Sequence, residues 1–214
     1  MEKKSKRVFL MAGGFLTAFV VWTVLVRWID VQPIGPMGSR VGFATVNEWV
    51  HRITGVHWGL YVATDWLGLV PFAVVLGFAV LGLVQWIQRK RIGCVDRDLL
   101  VLGGFYAVVL VVYVFFELVV INYRPVLIEG VLEASYPSST TMLALCVLPT
   151  AGMQLSHRIK NKRIKQCVFA LLALLSVFFV VGRFFSGVHW ASDIVGGALL
   201  STGLVTAYRA ILRT

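Results

Sequence analysis

Charge is scarce in this chain: Asp, Glu, Lys and Arg make up only 14% of its 214 residues, and just 10 are acidic. A soluble domain carries about a quarter of its residues charged, and a mean hydropathy of +0.84 excludes a water-facing globule. Cysteine is scarce too. Cys94, Cys146 and Cys167 form no CxxC pair and fall in a basic loop or inside apolar runs, so no exported disulfide framework is expected. No His/Cys/Asp cluster has metal-ligand spacing, so neither a metal nor another cofactor is expected. No cleavage site closes the first apolar run, so a removable signal peptide is not expected either.

Apolar length is what the chain has in abundance. Crossing a bilayer as a helix takes about 20 mostly apolar residues, and six windows qualify: 8–26, 58–84, 99–121, 138–155, 167–181 and 189–212. The expected fold is all-α, a polytopic bundle of six transmembrane helices in one integral membrane domain. Residues 1–57 supply the first helix and an interfacial loop, and residues 58–214 the core. Asp65 and Pro71 make the outer end of the second run partly interfacial.

The basic residues orient the bundle. Fifteen of the 20 Lys and Arg residues fall before the first run, between the second and third, between the fourth and fifth, or at the end. The positive-inside rule then puts both termini in the cytoplasm. The net charge of +10 reads as this topology signal plus attraction to anionic lipid heads, with no nucleic acid partner implied. Arg27, Arg40, Arg52, Arg124 and Arg183 remain outside, and no lysine joins them.

Arg124, Ser138, Arg183, His189 and Asp193 come from three loop edges at one predicted depth on the extracytoplasmic face. His189 and Asp193, four residues apart, are expected on one face of the sixth helix. There Asp193 would fix the imidazole tautomer and raise the basicity of its other nitrogen. Arg183 offers a planar fork of donors suited to phosphate oxygens.

These residues stand in a recognisable order. Gly182-Arg183-x5-His189-x3-Asp193 resembles the third motif of the type 2 phosphatidic acid phosphatases, six-helix membrane enzymes whose site is shared with vanadium haloperoxidases. That motif reads Ser-Arg-x5-His-x3-Asp. The first family motif, Lys-x6-Arg-Pro, appears here as Glu117-x6-Arg124-Pro125, and the second, Pro-Ser-Gly-His, as Pro137-Ser138-Ser139-Thr140. The resemblance implies a lipid phosphatase in which His189 is the nucleophile, forming a phosphohistidine, and Asp193 orients it. It also implies that Arg124 and Arg183 clamp the phosphate, with Ser138, Ser139 and Thr140 binding it at a helix start through hydroxyl and backbone N–H groups. The expected partners are a membrane lipid phosphate and the bilayer.

Two departures bear on chemistry. The family histidine that protonates the leaving oxygen is Thr140 here, and a positioned acid is worth about 10²–10⁴-fold. A lipid pyrophosphate such as undecaprenyl pyrophosphate, whose leaving group is a weak base, tolerates that loss better than a phosphate monoester does. Glu117 replaces the family lysine, either as a salt-bridge partner of Arg124 or as the missing proton donor. A non-hydrolytic relative that binds a lipid phosphate, as a transporter, transferase or regulatory pseudoenzyme, is the alternative.

Overall fold

The computed structural model describes residues 2–213, with side chains from residue 5 onward; the side chains of Lys3 and Lys4 in the basic N-terminal run lie outside the described residues. Among the described residues the α-helices are α1 (Glu2–Trp28), α2 (Ala44–Thr54), α3 (Trp58–Leu67), α4 (Leu69–Arg89), α5 (Arg97–Leu118), α6 (Ser139–Arg158), α7 (Lys162–Ser186) and α8 (Ala191–Ile211). No β-strand occurs among them, and the expected all-α class holds. Leu10, Leu118 and Leu174, apolar and each more than two-thirds exposed, mark the surface that meets acyl chains.

Five segments are long and apolar enough to cross a membrane: Ser5–Trp28, Trp58–Arg89, Arg97–Leu118, Lys162–Ser186 and Ala191–Ile211. All six expected windows fall on helices, but α6, in the window 138–155, is not among these five by length and composition. It runs through the middle of the bundle against α4, α5, α7 and α8, so it has no need of an apolar outer face. Its Thr141, Thr150 and Gln154 are fully buried, and they find partners on neighbouring turns and helices. Gln154 Nε2 donates to Tyr208 Oη at 2.7 Å, and Thr150 Oγ1 donates to the carbonyls of Cys146 and Val147 beside Pro149, which has no N–H to give.

The second run is one span made of two helices. Gly68 joins α3 to α4, its N–H facing the carbonyls of Thr64 and Asp65 at 3.0 and 2.9 Å. Pro71 falls in the first turn of α4, where a missing N–H costs nothing. Asp65 is therefore carried at the end of a short helix that packs on α7.

The remaining contacts gather helix ends at one end of the bundle. Helix α1 lies along α8, and Trp22 Nε1 donates to the carbonyl of Ser192 at 3.0 Å. The interfacial loop expected after the first helix, within residues 1–57, contains the amphipathic α2, whose His51 Nε2 sits 3.1 Å from the carbonyl of Gly187. Gly187 has φ +68, and a Cβ there would strike the carbonyl oxygen of Gly55, so the α7–α8 turn closes tightly only because it is glycine. The ends of α1, α5 and α7 and the starts of α3, α6 and α8 meet around this turn.

Candidate active site

His189 sits in the α7–α8 turn, two residues before α8 begins, and is 4% exposed. This corrects the expectation that it shares a helix face with Asp193. The imidazole and the carboxylate are joined by a third residue. Ser135, just before Tyr136 and Pro137, places its Oγ 3.0 Å from His189 Nδ1 and 2.5 Å from Asp193 Oδ2.

Donor counting fixes the proton positions. A serine hydroxyl has one hydrogen, and an ionised Asp193 can only accept, so Ser135 donates to Asp193. Its oxygen then accepts from His189 Nδ1–H, which leaves the Nε2 lone pair to accept from Arg124 Nη1–H. This tautomer follows from the hydrogen-bond network. Nε2 lies 3.4 Å from Arg124 Nη1, on the side where the arginines face the cavity. Burial, and then the positive charges of Arg124 and Arg183, hold the His189 pKa well below the usual imidazole value, so the ring is neutral at neutral pH.

Asp193 is fully buried and fully engaged. Oδ2 also accepts from the Trp190 N–H at 3.0 Å, and Oδ1 accepts from Asn122 Nδ2 at 3.1 Å and Ser192 Oγ at 3.3 Å. Asn122 Oδ1 in turn accepts from the Gly42 N–H at 3.2 Å, and Asn47 bridges Gly42 to both the N–H and the hydroxyl of Ser192. The carboxylate is thus held by residues from the loop after α1, from α2 and from the loop after α5.

The two arginines both line a cavity of about 700 Å³. Arg183, from the last turn of α7, is 2% exposed; its Nη2 donates to Asp65 Oδ1 at 2.9 Å, and its guanidinium lies 5.1 Å from the centre of the Tyr61 ring. Its Nε and Nη1 are buried with no partner. Buried donors are almost always paired, so these two ask for an anion. The Arg124 side chain is 12% exposed, with Nε 3.0 Å from Glu133 Oε2. That N–H is not aimed at the carboxylate, so the contact is an ion pair without a hydrogen bond.

Of the second motif, Ser139 and Thr140 line the cavity, and α6 starts there with its first N–H groups free of intrahelical acceptors. Ser138 does not play the part expected of it. Its N–H donates to the Asp193 carbonyl at 3.1 Å, tying the head of α6 to α8, while its Oγ donates to Thr141 Oγ1 at 3.0 Å within the first turn of α6. Glu117 lines the cavity near the end of α5, while the ion-pair partner of Arg124 is Glu133. Sequence reasoning passed over Ser135, Asn122, Asp65 and Glu133. Ser135 had a legible signal, standing two residues before the Pro-Ser turn; the others are brought in by packing alone.

The sequence model of the PAP2 superfamily matches residues 114–214. Among solved structures the chain is similar to the crystal structure of a transmembrane PAP2 type phosphatidylglycerolphosphate phosphatase from Bacillus subtilis. The two share 19% sequence identity and a TM-score of 0.62, over 94% of this chain and 96% of that one. That likeness is one of fold. No curated protein matches.

Proposed function

Residues 114–214 match the PAP2 superfamily, and from that premise we propose that the chain is a membrane lipid phosphatase of this superfamily that works through a phosphohistidine on His189. The observation that carries the reading is the pairing of a buried Arg183, whose Nε and Nη1 lack partners, with a neutral His189 whose Nε2 lone pair faces Arg124. A phosphate drawn between the arginines meets that lone pair. The Nε2–P bond forms as the P–O bond to the lipid breaks, and Ser135 and Asp193 steady the positive charge that develops on the ring. Water then cleaves the N–P bond and releases inorganic phosphate. Ser139, Thr140 and the N–H groups that open α6 supply further donors to the phosphate oxygens.

Leaving-group chemistry favours a pyrophosphate. Thr140 does not ionise usefully, and a lipid phosphate departs from a lipid pyrophosphate without needing much protonation. The favoured substrate is a long-chain lipid pyrophosphate of the undecaprenyl pyrophosphate type, taken from the extracytoplasmic leaflet with both termini in the cytoplasm. The second reading, a protein that binds a lipid phosphate without hydrolysing it, is favoured by Glu117 and Thr140.

Phosphate release by the purified protein across a panel of lipid monophosphates and pyrophosphates tests the choice. Turnover is expected, fastest on pyrophosphates, and abolished in His189→Ala. An active His189→Ala protein overturns the phosphohistidine, and no turnover on any lipid favours the binding protein.

A further inference from the structure

One charge in the cavity is used neither by the phosphate site nor by the fold. Arg124, Arg183, Asp65, Glu117 and Glu133 all line it. Asp65 is matched by Arg183 at 2.9 Å and Glu133 by Arg124 at 3.0 Å, whereas Glu117 has no ion pair or hydrogen bond among the described residues. It lies one residue before the end of α5, where the helix presents its negative pole. Tyr61, Tyr113, Tyr123 and Phe72 lie on the same walls, and aromatic faces beside a carboxylate suit a cation. Two positive side chains therefore face three negative ones. A phosphate entering alone would meet a lining of the wrong net sign, yet the buried Nε and Nη1 of Arg183 await an anion. A ligand carrying both signs satisfies every group.

We propose that Glu117 is a cation subsite of the substrate cavity, holding a positive charge that arrives with the lipid phosphate. Two carriers share this chemistry: an ammonium group a few bonds from phosphorus, or a divalent ion riding on a pyrophosphate. Among the described residues no three His, Cys, Asp or Glu side chains gather as metal ligands, so the cation belongs to the substrate. The subsite rests on the phosphatase reading of the same cavity, but it is tested by binding, which does not require turnover.

The full chain in detergent is titrated calorimetrically with 2-aminoethylphosphonate and with ethylphosphonate, non-cleavable probes that differ by one ammonium. Methylenediphosphonate with and without Mg²⁺ forms the second arm. The wild type is expected to bind the ammonium probe, or the Mg²⁺ complex, about tenfold more tightly than its uncharged counterpart, as one charge-assisted contact implies. Whichever arm shows the preference names the carrier. Glu117→Gln is expected to erase the preference and Glu117→Lys to reverse it. Wild type and Glu117→Gln with the same ratios in both arms would overturn the subsite, and that is also the outcome if Glu117 is a protonated acid. If no probe binds, and Arg183→Ala is indistinguishable from wild type, the phosphate site itself fails and the subsite with it.

Discussion

Replacing Ser135 by alanine removes the one atom that connects Asp193 to His189. Asp193 keeps the Trp190 N–H, Asn122 and Ser192 as donors, so the carboxylate stays satisfied and the fold is expected to survive. The loss falls on the His189 Nδ1–H, buried at 4% exposure. In the neutral ring that hydrogen bond is worth about 0.5–1.5 kcal/mol, and in the cationic ring of the transition state about 1.5–3 kcal/mol. The barrier therefore rises by the difference, about 1–2 kcal/mol, which slows the reaction roughly 5- to 30-fold. Release of the tautomer preference deepens the loss. The assay is phosphate release from a lipid pyrophosphate in mixed micelles, with kcat and KM measured separately. A fall in kcat at nearly constant KM is expected, and Ser135→Thr, which keeps the hydroxyl, should recover most of it. An unchanged kcat in Ser135→Ala, or equal losses in the alanine and threonine variants, would refute the bridging role.

Three further outcomes are expected. The depressed His189 pKa keeps the nucleophile unprotonated below its usual pKa of about 6.5, so the acid limb of kcat/KM should lie below that pH. Arg124→Gln removes one of the charges that depress it and should move the limb upward, which a pH–rate profile checks. Stability follows the same sign: the unfolded chain takes up the proton first, so acidification below about pH 6.5 favours unfolding. A Cβ on Gly196 would lie 2.6 Å from the Tyr136 ring, so Gly196→Ala must push the segment that carries Ser135. It should cost about 1–3 kcal/mol together with most of the activity, read from thermal unfolding and turnover. Finally, single cysteines at Met37 and Glu129 should label from outside intact cells and one at Asn161 should not; reversed labelling would invert the proposed orientation.

Helical class and membrane residence were legible because they depend on composition summed over long windows, where single errors cancel. The count of spans was less legible. The apolar window 138–155 located α6, yet α6 is less apolar than the other five spans, since a helix surrounded by helices is released from the need to be apolar outside and its Thr150 and Gln154 find partners that no window sees. Within the site, spacing found Arg183, His189 and Asp193, yet it misjudged how the last two cooperate. A four-residue interval means one helix face only inside a helix, and α8 begins after His189. Asp65, Glu133 and Asn122 left no trace in any motif because their roles depend on which segments meet. Asn122 matters through a backbone N–H 80 residues away in sequence.

The stitching of α8 to α1 has a consequence for how the molecule comes into being. Trp22 and Asn47 leave the ribosome well before their shared partner Ser192, which lies 170 and 145 residues later at the head of α8. Until that helix is threaded into the bilayer, Trp22 and Asn47 lack that partner, and the carboxylate that steadies the site does not yet exist. Such long-range closure is slow, and partly inserted chains expose unsatisfied surfaces. The nascent protein is therefore chemically silent until α8 is made, and competence comes only when α8 slides in beside α1.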